Sequence, residues 1–485
     1  MSNAYEWKGP IVSSDPIPNV LSARYASARM NEIWSPEHKI VLERELWLAV
    51  LRAQKAMGVD VPDGAVEAYE AVLQQVDLAS IAERELVTRH DVKARIDEFS
   101  ALAGREQIHR GMTSRDLTEN VEQLQVRRSL ETIRDRMVAL LARFVALAEQ
   151  HAGRVMVART HNVSAQATTL GKRFADVAEE TMIGIERLED LLERYPLRGL
   201  KGPVGTRLDQ LDLLGDSAKV DELERLVAEH LGFSRVLDSV GQVYPRSLDL
   251  DVVSALCQAT SAPSSAVTTL RLMAGHELAT EGFRPGQVGS SAMPHKMNAR
   301  SSERINGLRL VLDGHLTMAS GLAGRQWNEG DVSCSVVRRV MLPDAFMAAD
   351  GLIQTALGVF DDFGIFPAVV QAELRRDLPF LATTRILAAA VDAGLGRETA
   401  HELIKEHAVA AALARREPGG AQGLIERLDN DPRIPLDAGA LHELLSRPEE
   451  FVGTAVGQVA RVCARANDVI GRHPLAAAAA PEVRV

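Results

Sequence analysis

The chain has 485 residues, with 55 lysines and arginines against 66 aspartates and glutamates, a formal charge of −11, and 46% hydrophobic residues. That length predicts about three domains with an ample core, and the acidic balance disfavours nonspecific nucleic-acid binding while leaving room for a local basic pocket around a small anion. Cys257, Cys334 and Cys463 are too scattered for a disulfide framework or zinc knuckle. With no leader-like opening and no apolar run of membrane length, a cytoplasmic enzyme is expected.

In chain order the pattern reads almost entirely helical. Ser35-Pro36 is an N-cap followed by proline at the first helical position, and apolar residues continue to a stop at Gly58. From Leu117 to Ala152 there is neither glycine nor proline. Leu117, Val121, Leu124, Leu130, Ile133, Met137, Leu141, Phe144 and Leu147 recur there at helical spacing, predicting a helix of roughly 50 Å. Gln166 to Tyr195 reads as a second long helix, and Asp251 to Glu281 as a third, kinked at Pro263. Ser302 to Gln326 and Val336 to Phe363 complete five. Such lengths predict an all-α long-helix bundle. Lys201 to Thr206 reads as a structural turn, since no Walker pattern surrounds it. After Gly364 the helices shorten, and the alanine-rich segment from Leu475 reads as frayed. The expected division is an N-terminal domain 1–115, a central bundle 116–370 and a C-terminal helical domain 371–485.

The chemistry concentrates on Gly286 to Glu303, GQVGSSAMPHKMNARSSE. Met293-Pro294 bars a helix across its middle, while Ser290, Ser291, Lys296 and Asn298 bring hydroxyls, a cation and an amide within nine residues. A bare glycine-rich connection needs none of these; a loop that closes over substrate does. Three further stretches carry polar groups. Arg89-His90-Asp91-Val92-Lys93 precedes His109-Arg-Gly-Met-Thr113-Ser114-Arg-Asp116, where Thr113-Ser114 is either a cap or a carboxylate site at a helix N-terminus. Arg159-Thr160-His161-Asn162 runs into Gln166-Ala-Thr168-Thr169-Leu-Gly171-Lys172. Gln326-Trp327-Asn328-Glu329 is followed by Ser335 and Arg338-Arg339, a solvated helix face or a phosphate site.

The loop resembles the G-S-S-x-M-P-x-K-x-N signature of the fumarase/aspartase superfamily at all its positions. Together with the R-H-D-V, H-x-G-x-T-S-x-D and T-H boxes, T-T-x-G-K, Gly241-Gln242 with Arg246, and Arg24-Tyr25 with Met30 and Ile33-Trp34, it resembles the adenylosuccinate lyase family from about residue 18 to about 415. The resemblance implies an all-α, three-domain fold, a homotetramer with a core of about twenty helices, active sites shared among three subunits, and no metal or organic cofactor. It implies β-elimination of fumarate from adenylosuccinate, giving AMP, and from the succinyl-aminoimidazole-carboxamide ribotide (SAICAR) of purine synthesis.

Such a reaction needs a base at the succinyl Cβ–H, an acid at the leaving nitrogen, and stabilisation of charge developing on the carboxylate. The resemblance assigns Ser290 as base, with Lys296 supporting its alkoxide, and His161 as acid polarised by Glu303. Lys296, Asn298, Thr113, Ser114 and Thr169 would hold the carboxylates, and Arg24, Tyr25, His109, Ser335 and Arg339 the phosphate. His90, counted with the catalytic groups, would face the ribose, base and succinyl nitrogen with Asp91 and Gln242. Two departures stand out. Gly330 occupies the place of an expected arginine, with Arg325 or Arg338 as substitutes, and Ser164 and Ala167 replace prolines. Argininosuccinate lyase, carboxymuconate cycloisomerase and a catalytically inactive scaffold related to the lens crystallins are the alternatives. The His90 and His109 boxes count against the first two, and joint retention of Ser290, Lys296, Asn298 and His161 against the third.

Overall fold

The computed structural model describes residues 17–282, 292, 293, 295–418 and 423–482. Its centre is the helix Ser114–Gln150, 37 residues long and therefore roughly 55 Å. Against it pack Leu170–Arg194 and Cys334–Asp361, and Arg300–Leu322 lies along Cys334–Asp361. Leucine, isoleucine, methionine and phenylalanine on their facing sides merge into one continuous core. That core extends into the N-terminal helix Pro36–Ala56 and reaches Val459, Cys463, Ala466 and Val469 of Ala455–Arg472, which returns to the bundle. Residues between Ala382 and Leu441 form a separate small core. No helix among the described residues is long and apolar enough to cross a membrane.

Three details differ from the pattern read in sequence. Gln166 to Thr169 is not helical. Val155–Thr160 and Val163–Thr169 form an antiparallel hairpin, and the helix begins only at Leu170, capped by the Thr169 hydroxyl. The third long run is two helices, Ser247–Ala259 and Ser261–Gly275, broken at Thr260. Pro263 therefore sits in a first turn, where its missing N–H costs nothing, and no kink is needed. The alanine-rich tail is docked rather than frayed: Arg143 donates to the carbonyls of Ala477 and Ala479, and the amide of Glu482 donates to Gln354.

Candidate active site

The R-H-D-V and T-S boxes meet at two helix N-termini. His90 caps Asp91–Ala103, accepting the Lys93 amide on Nδ1 at 3.2 Å. That nitrogen is therefore unprotonated, and the proton rests on Nε2, 3.4 Å from Ser114 Oγ. Ser114 opens the long helix, so two positive helix ends face one space, a setting for carboxylates. Asp116 at the third helical position accepts the Thr113 amide at 2.8 Å and also the Arg198 guanidinium and the amides of Lys201 and Gly202. The 201–206 segment is thereby fastened as a structural turn. Burial acts to raise the Asp91 pKa, but Arg95 and the Val92 amide prevail and hold it below the usual value. Arg95 also reaches buried Glu43, at 2.9 Å. His109 accepts the indole N–H of Trp47 on Nδ1 at 3.0 Å.

The 326–339 stretch joins this same end. The Gln242 amide donates to the Glu329 carbonyl at 2.6 Å. Gly330 has φ +137, a backbone that side chains rarely adopt, so an arginine placed on it would be strained. Arg338 is no substitute. It is buried, paired with Asp249 at 2.8 Å and with Glu122, and lies over the Tyr244 ring. Arg339, one helical turn after Ser335, is exposed, as is Arg325.

The remaining groups sit at the opposite end of the bundle. His161 and Asn162 form the two-residue tip of the hairpin, with φ +52 and +60. A primed turn matches the right-handed strand twist, which is why both residues accept a left-handed backbone. Arg159 pairs with Glu373, and Ser164 donates to Asp377 at 2.8 Å, tying the hairpin to helix Pro367–Leu381. Ser164, one of the two replaced prolines, thus has a structural use. Lys296, Asn298 and Glu303 line a cavity of about 970 Å³ with His295, Arg271 and Thr268. Glu303 faces Arg271 at 3.9 Å, and no hydrogen bond or ion pair among the described residues joins it to exposed His161. Ser290 and Ser291 lie outside the described residues. The base of their loop is nonetheless closed: buried Glu281 accepts the amides of Ser301 at 2.9 Å and Ser302 at 2.8 Å, and so caps Arg300–Leu322. Sequence reading missed Glu281 and Trp47, which look like ordinary helix-end and core residues.

Arg24 and Tyr25 lie between the two ends. Tyr25 packs on Gly351, twelve residues or roughly 18 Å along the helix from Arg339, with Arg304 5.6 Å over its ring. Of the seven non-glycine residues with positive φ among those described, Arg89, His109, His161, Asn162 and Asn328 are in or beside these boxes. Backbone strain of this kind clusters at functional sites.

Long antiparallel helices with polar boxes at both ends and a Lys/Asn-bearing loop define the fumarase/aspartase class of lyases. Solved structures agree on the fold. The 3-carboxy-cis,cis-muconate lactonizing enzyme of Pseudomonas putida superposes with a TM-score of 0.80 at 22% identity, over 93% of this chain and 99% of that one. A fumarate lyase from Mesorhizobium sp. BNC1 gives 0.77 at 21%, over 91% and 98%. The model of the lyase family matches residues 14–312, and that of the adenylosuccinate lyase C-terminus residues 379–462. Adenylosuccinate lyase of Saccharomyces cerevisiae is 34% identical over 90% of this chain and 92% of its own length, and that of Schistosoma mansoni 32% over 91% and 93%. The chain belongs to the adenylosuccinate lyase family.

Proposed function

We propose that this chain cleaves adenylosuccinate to AMP and fumarate, and SAICAR to its aminoimidazole ribotide and fumarate. The observation that carries this reading is the convergence of the His90, His109 and Ser114 boxes at paired helix N-termini in a chain of this family. Ser290 as alkoxide takes the succinyl Cβ proton, and the carbanion charge passes onto the neighbouring carboxylate, facing Lys296 and Asn298. Collapse to fumarate breaks the C–N bond as His161 protonates the leaving nitrogen. The test is fumarate release from adenylosuccinate, SAICAR and argininosuccinate, and loss of the conjugated-diene absorbance of carboxymuconate on lactonisation, in separate assays; carboxymuconate should remain unchanged. Release from the first two alone is expected; release from neither would overturn the reading. A cytoplasmic location suits this chemistry and the three buried, unpaired cysteines.

The phosphate falls to Ser335 and Arg339, with Arg24, Tyr25 and His109. Since Arg338 is locked in its ion pairs and Gly330 offers no side chain, Arg339 carries a larger share. A charge-assisted contact contributes about 1.5–3 kcal/mol. Arg339→Ala is therefore expected to raise KM for both substrates about tenfold or more, with kcat less affected. An unchanged KM would place the phosphate elsewhere.

The separation of the boxes within one chain supports a site shared between subunits. His90 and Ser114 lie at one end of a helix of roughly 55 Å, and the hairpin follows its other end. Even a hairpin folded straight back leaves roughly 30 Å between His161 and Ser114. Leu310, Val311, Val336, Val340 and Ile183 also leave apolar side chains exposed on the long helices. Subunits packed side by side as a homotetramer would cover them and bring opposite ends together.

A further inference from the structure

We propose that Trp47 is a positioning residue which holds His109 as the tautomer that presents Nε2–H to the anionic end of the substrate. This rests on the reading of His109 as a phosphate-side residue. Trp47 is 1% exposed, on helix Pro36–Ala56, and the one hydrogen-bonding atom of its side chain donates to His109 Nδ1 at 3.0 Å. The rings meet edge-on, 6.0 Å between centroids, and Phe99 stacks on the indole at 6.2 Å, so the donor cannot swing away. A nitrogen that accepts an indole N–H has no lone pair left for a proton. The imidazole is thus kept neutral, and Nε2 is obliged to donate. The surroundings act in the same direction: burial lowers the His109 pKa to about 4, the Asp116 carboxylate at the start of the long helix opposes this, and His90 adds to it. His109 also has φ +65, so its backbone is committed to this orientation. A neutral donor holds phosphate equally well across the physiological range, which an ordinary histidine would not.

The test compares KM for adenylosuccinate between pH 5.5 and 8.5 in the wild type, Trp47→Phe, His109→Gln and the double variant. Phenylalanine keeps an aromatic ring but removes the donor and frees Nδ1. With the substrate phosphate beside it to offset the effect of burial, His109 can then take a proton as pH falls, and a charged donor binds phosphate better than a neutral one. The ratio of Trp47→Phe to wild-type KM is expected to fall about fivefold from pH 8.5 to pH 5.5, the difference between a charge-assisted and a neutral hydrogen bond. Glutamine places a donor near the Nε2 position and cannot titrate, so His109→Gln and the double variant should lack the new pH dependence. A flat ratio for Trp47→Phe, or a pH dependence that survives in the double variant, overturns the proposal. If Trp47→Phe does not fold, benzothienylalanine installed at 47 substitutes sulfur for the N–H in the same shape and is read the same way. A wild type without activity on adenylosuccinate would instead sink the functional reading.

Discussion

Ser290→Ala is expected to lower kcat on adenylosuccinate by about 10²–10⁴-fold while AMP still binds, because a positioned proton-transfer group contributes about that much. A serine hydroxyl is too weak an acid to be a base unaided, so the loss depends on what surrounds it. Lys296 follows six residues later on the same loop and lines the same cavity as Asn298. Both ends of that loop are fixed. Glu281 grips the N-terminus of Arg300–Leu322, and Ala279–Thr280 pairs with Gly364–Ile365. A loop anchored at its base can close over substrate without its ends drifting, which is what an alkoxide stabilised by loop amides and an ammonium requires. Single-turnover measurement with adenylosuccinate, alongside AMP binding by calorimetry, separates loss of chemistry from loss of binding. A variant that keeps near-normal kcat would move the base to another group, Ser291 first.

The bundle was legible because long stretches without glycine or proline leave little but helix, and apolar spacing gives the buried face. What escaped was set by tertiary context. Val155, Val157, Val163, Thr168 and Thr169 are β-formers, yet Gln166 to Thr169 joins an uninterrupted helical pattern, and only the turn at His161-Asn162 sets it apart. The arginine pair showed the same limit. Adjacent positions on a helix point about 100° apart, so Arg338 enters the core and Arg339 meets solvent. Nothing local distinguishes them. At Gly330, sequence showed a missing side chain, whereas the backbone shows that φ +137 would strain the arginine that is missing. The candidate site residues stand out in sequence as boxes because polar groups cluster around helix starts. Their distribution over two ends of the bundle appears only once the long helix has a length and a direction.

That distribution makes a mixing experiment decisive. His161→Ala and Ser290→Ala, each expected to be inactive, are unfolded together at equal concentration and refolded. In a homotetramer whose sites take the acid from one subunit and the base from another, each requirement is met with probability about one half. About a quarter of wild-type activity should then return in a closed symmetric assembly, and none in either variant refolded alone. Mixing His90→Ala with Ser290→Ala serves as the companion pair. His90 contacts Ser114 at the start of the long helix, while Lys296 and Glu303 lie at the far end with the hairpin, so the proposed site would draw these groups from different chains. The His161 pair is more discriminating, because His161 and the Lys296 that follows Ser290 in sequence share one end of the bundle, so length alone does not separate them. If the His90 pair recovers activity and the His161 pair does not, acid and base come from one chain, and the site spans two subunits rather than three. If neither pair recovers although native mass spectrometry shows mixed oligomers, the shared site is wrong and the boxes at the two ends serve different purposes.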